Sequence, residues 1–213
     1  MDDPGWPSVR VRLLRRAAAP ATPSREDVIT VWLDGARLRL RDESGRSFPD
    51  VLDELTSPRG FGRPTRSLED LMGAWTPPPT ARRPTEILVD RGSGQTVVSE
   101  GGGEPWRIPV GSTDVLADLV LTRGRERSLS PVGEERVLDR DCLDYRFRLE
   151  GDEDAVPFAT EVRWLVAGPY LLRRELRDAD NPGRWLTSEV VDLAEGDGLT
   201  EGDGCMPDGD VLG

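Results

Sequence analysis

The thiol of Cys142 follows directly on Arg140 and Asp141. A neighbouring guanidinium can lower a thiol pKa and make the sulfur a nucleophile. Covalent catalysis also needs a base and a group to orient it. The chain has no His, and each of its 28 basic residues is Arg. That removes Ser-His-Asp and Cys-His catalysis, His-based zinc sites, Schiff-base lysines and the phosphate-loop lysine. Carboxylate pairs such as Asp139 and Asp141 remain, but with 40 acidic residues such pairs arise by chance. Cys142 and Cys205 are the only cysteines, too few for a thiolate metal centre. Spacing does not decide whether they pair. No catalytic residue, metal site or cofactor is expected.

The chemistry left to the chain is binding. Residues 160–176, TEVRWLVAGPYLLRREL, carry more large apolar side chains than one side of a surface hairpin needs. With Ala167-Gly168-Pro169 as a three-residue loop, Val166 would face Tyr170 and Trp164 would face Leu172. Apolar side chains then separate from Glu161, Arg163, Arg173 and Glu175, although like charges come to lie opposite one another. In the preceding strand, Tyr145 and Phe147 alternate with Arg146 and Arg148. The candidate ligand-binding row is therefore Val162, Trp164, Val166, Tyr170, Leu172, Leu176, Tyr145 and Phe147. The same row would serve as ordinary core if helices fill the space above it, and the sequence leaves these two roles open.

These residues must be held by strands. DVITVWLDGARLRLRDESGR carries Asp34-Gly35, a hairpin dipeptide between alternating runs. Pairing outward sets Leu33 against Ala36, Val31 against Leu38 and Ile29 against Leu40, with Trp32 over Arg37. TEILVD and QTVVSE flank RGSG, PWRIPV alternates, and VGEERVLDRDCLDYRFRLE holds two strands. RWLTSEVVDL reads as the last. Helices are expected at 8–19, after Pro49, at 67–75 and at 113–121. For 8–19 a strand is the competing reading, because Val9, Val11 and Leu13 also alternate. Strands linked by tight turns, without repeated βαβ units, predict an antiparallel sheet. The expected fold is α+β, a single curved sheet of about nine to ten strands with a few short helices on its concave face.

Residues 1–193 read as one domain. Residues 194–213 hold six acidic residues and six glycines, which predicts a disordered tail. The net charge of -12 argues against a nucleic-acid partner. No apolar run is long enough to span a membrane. Arg15 and Arg16 interrupt the only stretch resembling a leader, so a cytoplasmic location is expected. The arginine rows of the strands (Arg37, Arg39 and Arg41; Arg146 and Arg148; Arg173, Arg174 and Arg177) could form an anion site, but with 40 acidic residues available they read as ion-paired surface.

The order of these parts resembles the LolA/LolB/RseB-like lipoprotein-carrier superfamily. The resemblance rests on ITVWLDGARLRLRDESG, EILVDRGSGQTVV, STDVLADLVL, VGEERVLDRDCLDYRFRLEG and ATEVRWLVAGPYLLRRELRD, and spans roughly residues 8–193. It implies a half-barrel whose concave side takes acyl chains or a segment of a partner protein. Members are typically exported, and this chain shows neither a leader nor an N-terminal Cys for lipidation. The function expected is a non-catalytic carrier of a lipid or other apolar small molecule. A protein-interaction module on the same sheet is the alternative.

Overall fold

In the computed structural model of the protein, the described residues are 6–19, 22–45, 84–101, 103–109, 116–149, 160–179, 183 and 185–196. They form eleven strands: β1 (Trp6–Ala19), β2 (Thr22–Gly35), β3 (Arg37–Asp42), β4 (Thr85–Asp90), β5 (Gln95–Glu100), β6 (Trp106–Pro109), β7 (Pro131–Val137), β8 (Arg140–Leu149), β9 (Thr160–Ala167), β10 (Tyr170–Asp178) and β11 (Trp185–Glu195). All pair antiparallel in one open sheet, in the order β6-β5-β4-β3-β2-β1-β11-β10-β9-β8-β7. This is the expected half-barrel.

The extra strand is β1, where a helix was expected. Val9 and Leu13 fit both periods, because i and i+4 share a face in a helix and in a strand alike. The structure follows the period of two: Val9, Val11, Leu13 and Arg15 are buried, while Arg12 and Arg16 are exposed. β2 and β11 pair along both edges of β1. Those two ladders outweigh the helix propensity of the Ala run, which closes the strand instead. The expected helix at 113–121 is described only from residue 116. It is a single 3-10 turn at 116–119, after which Leu121 bridges Tyr170. The helices expected after Pro49 and at 67–75 lie outside the described residues, as does the tail beyond residue 196.

The β2–β3 hairpin turns two places later in the pairing than expected. Leu33 pairs with Leu38, Val31 with Leu40 and Ile29 with Asp42, so the loop is Gly35-Ala36. Gly35 takes φ 56, the positive φ that a type II′ turn places at its first loop position. Because the shift is by two residues, every side chain keeps its face. Trp32 accordingly lies beneath Arg39, at 5.0 Å, and not beneath Arg37.

The β7–β8 turn is less comfortable. Leu138 and Asp139 both have positive φ, 48 and 58, in a two-residue loop between Val137 and Arg140. That is the type I′ pattern, which Asn-Gly suits and Leu-Asp does not. Replacing Leu138-Asp139 by Asn-Gly is expected to raise stability by about 1 kcal/mol. Thermal unfolding of the double variant would show it, and an unchanged or lower midpoint would contradict it.

One face of the sheet forms the core. Val9, Val11, Leu13, Ile29, Val31, Leu33, Leu38, Leu40, Ile87, Val89 and Val98 belong to one buried cluster. Leu116, Ala117, Val120 and Leu121 cross over and pack into it. This crossing segment is anchored by backbone. Leu171 N–H donates to Val120 O at 2.9 Å, and Thr122 N–H donates to Pro169 O at 3.0 Å.

Candidate functional site

The β9–β10 hairpin decides where the expected ligand row falls. Its loop has two residues, Gly168 and Pro169, between the paired Ala167 and Tyr170. Gly168 supplies the positive φ, 57. The register then shifts between Leu171 and Arg173: Leu171 faces Val166, Arg173 faces Leu165, and Leu172 is the extra residue of a β-bulge. The three-residue register expected from the sequence is therefore corrected. A two-residue loop without a bulge would have set Trp164 against Arg173. The bulge moves the partner one place on, so Trp164 faces Arg174 and Val162 faces Leu176.

The consequence is a division of the expected row. Val162, Trp164 and Val166 share a face with Leu176 on β10 and with Phe147, Tyr145 and Leu143 on β8, by direct pairing. Tyr170 and Leu172 do not join them. They enter the large core cluster with Leu165 and Ala167. Tyr145, Val166 and Leu171 form a separate small cluster, against which Trp164 and Leu129 pack. Phe147 stands edge-on to Trp164, with ring centroids 5.1 Å apart.

Register continues this face across the sheet. Tyr145 pairs with Trp164, Trp164 with Arg174, Arg174 with Ser188, Ser188 with Arg15, and Arg15 with Asp27. A polar band thus runs through the buried face. On one side lie Phe147, Val162, Leu176 and Leu186; on the other lie Val190, Leu13 and Ile29. Arg15 and Asp27 are only 3% and 2% exposed, so each is buried beside an opposite charge. Sequence reasoning took Arg174 for ion-paired surface and placed Arg15 in an expected helix.

The crossing segment roofs the Trp164 end of the band. Arg123 and Gly124 are both left-handed, φ 54 and 78, and turn the chain into the 3-10 helix Arg125–Ser128. This places the Arg125 guanidinium 5.5 Å from the centre of the Trp164 ring. Arg125 also bonds Asp118 at 3.0 Å. Arg174 lies in the field of both: burial pushes its guanidinium down to about 10, Arg125 adds to that, and Asp118 opposes it. The Trp164 Nε1–H is sealed from solvent and has no hydrogen-bond acceptor among the described residues. Buried indole N–H groups ordinarily have one.

The opposite face of β7–β11 is an ion-pair lattice. Arg163 grips Asp144 with two nitrogens, at 3.0 Å each, and also reaches Glu135 and Glu175. Arg173 bridges Glu135 and Glu189. Burial alone would raise the Asp144 pKa; hydrogen bonds from Arg163 and Arg146 outweigh it and hold the carboxyl below its usual value. A groove of about 470 Å³ opens on this part of the sheet. It is lined by Arg146, Arg148, Arg163, Arg177, Glu161 and Glu175, with Phe147 and Val162. Four guanidiniums and two carboxylates make it a polar groove.

Tyr170 has a structural role. Burial pushes its hydroxyl up to about 12, and a hydrogen bond donated to Glu195 holds the proton further. Glu195 also accepts from Arg140, whose guanidinium lies 5.8 Å from the Tyr170 ring centre. The three tie the end of β11 to β8 and β10. Cys142 is a buried free thiol, and burial raises its pKa. That is opposite to what a nucleophile requires. Among the described residues, no helix is long and apolar enough to cross a membrane.

No protein-family model matches the chain, and no curated protein matches it. Among solved structures the chain is similar to a LolA superfamily protein from Nitrosomonas europaea. The identity is 12%, with 93% of this chain and 91% of that one covered, at a TM-score of 0.33. It is also similar to an uncharacterized conserved protein from Thermus thermophilus. There the identity is 12%, with 95% and 88% covered, at a TM-score of 0.43. At these values the likeness carries no argument about family or ligand.

Proposed function

We propose that this protein is a non-catalytic binding protein that holds an apolar ligand, a lipid or acyl chain, against the buried face of its half-barrel. The observation that carries the reading is the division of the apolar residues into two clusters. The large one is closed by packing between strands and crossing segment. The small one, Tyr145, Val166 and Leu171 with Trp164 and Leu129, stands apart from it. It is rich in aromatic surface and includes a sealed N–H donor without an acceptor among the described residues. Apolar surroundings with a few placed polar groups are what small-ligand sites offer. The absence of His and Lys supports a role without chemistry.

The test is native mass spectrometry of protein purified from its source cells. A co-purifying lipid or acyl species is the expected result, lost when Trp164 and Val166 are both replaced by Ser. Protein that is consistently empty, and that takes up no acyl ligand when offered one, would overturn the proposal.

A further inference from the structure

We infer that the ligand is an anionic amphiphile whose head group, a carboxylate or phosphate, sits between the crossing segment and the sheet, on Arg125, Arg174 and the Trp164 Nε1–H. This rests on the apolar-ligand reading and deepens it by naming the ligand's charged end.

Three observations converge. The first is the donor: Trp164 Nε1–H is buried and has no acceptor among the described residues, and an anion's oxygen would satisfy it. The second is the placement of charge. Arg125 lies over the Trp164 ring, and Arg174 is the direct cross-strand partner of Trp164. Guanidiniums present paired N–H donors that match the oxygens of a carboxylate or phosphate. Burial has already depressed the pKa of Arg174, and an added negative charge beside it would favour its cationic form. The third is the frame. Phe147, Val162 and Leu176 continue the same face directly beyond Trp164 and Arg174. A head group on the guanidiniums would therefore lead its chain onto that apolar row.

The discriminating experiment compares three ligands of equal chain length on the full chain: hexadecanoate, hexadecyl phosphate and methyl hexadecanoate. Binding is measured by tryptophan fluorescence and by native mass spectrometry. At least one anion is expected to bind ten-fold or more tightly than the ester. Arg174→Gln and Arg125→Gln should each weaken anion binding at least several-fold more than ester binding, and an unchanged circular dichroism spectrum shows that the variants are folded. Trp164→Phe keeps a ring and deletes the N–H, and should weaken the anion more than the ester. Whichever anion is preferred identifies the head group. Equal affinity for anions and ester in the unmodified protein would overturn this inference while leaving the apolar-ligand reading intact. Failure of all three to bind would overturn both.

Discussion

Replacing Asp144 by Ala is expected to cost about 3 kcal/mol of folding stability, the lower end of the cost of breaking a buried ion pair. The Asp144 side chain is 6% exposed, and it takes both prongs of the Arg163 fork. Removing it leaves Arg163, itself 23% exposed, facing Glu135 and Glu175 alone. Those partners are why the loss stays at the lower end. The pH dependence has a definite sign. The folded pKa of Asp144 is lowered, so its contribution is present above the unfolded value, near 4, and is lost as pH falls through the folded value. The gap between the natural protein and Asp144→Asn should therefore be widest near neutral pH and close in acid. Urea titrations at pH 7 and below pH 4 check this. A gap that persists undiminished in acid would mean that the carboxylate charge is not what stabilises. Replacing the pair together, Asp144→Leu with Arg163→Met, should recover much of the loss, because the buried charge and its desolvation cost leave together.

Leu165→Ala is expected to cost about 2–5 kcal/mol through the cavity it leaves. Leu165 is fully buried and belongs to the large cluster. For a domain of this size the midpoint of thermal unfolding should fall by roughly 4–20 °C. Leu143→Ala is the control: Leu143 is 39% exposed and should lose about 1 kcal/mol or less. A loss at Leu165 no larger than that at Leu143 would contradict its burial in the large cluster.

The parts of the fold that could be read from the chain are those where local alternation and pairing agree. β3, β4 and β5 follow their apolar positions, and the misplaced β2–β3 turn did no harm because a slip of two preserves the faces. A slip of one is different. The loop is one residue shorter than expected, so Tyr170 pairs with Ala167 and parts from Trp164 and Val166; the extra residue at Leu172 then shifts the pairing again, so that Trp164 meets Arg174. Nothing in LLRR announces the bulge, since its cause is non-local: the start of β10 leaves β11 and takes Leu121 as its neighbour. The polar band was hidden for a similar reason. Arg15 and Asp27 look like surface charges until β1 and β2 bring them together across the ladder. Arg125 and Arg174 meet only through the crossing segment.

The strand order also bears on how the chain folds. Read along the sheet, β6 to β1 is one uninterrupted meander and β11 to β7 is another. Every neighbouring pair is adjacent in sequence except one, β1 with β11. That seam joins the first strand to the last, with Val9 against Glu195 and Ala18 against Trp185. Apart from the long connection between β3 and β4, each half joins its neighbours over short stretches of chain, but the seam must close a loop of nearly all the described strands, the slow kind of contact in β topologies. On the ribosome β1 would emerge first and wait, one long edge unpaired, until the final strand appears. Arg10 and Arg12, on the face of β1 away from the core, give that strand the charged side chains that generally discourage edge-to-edge pairing.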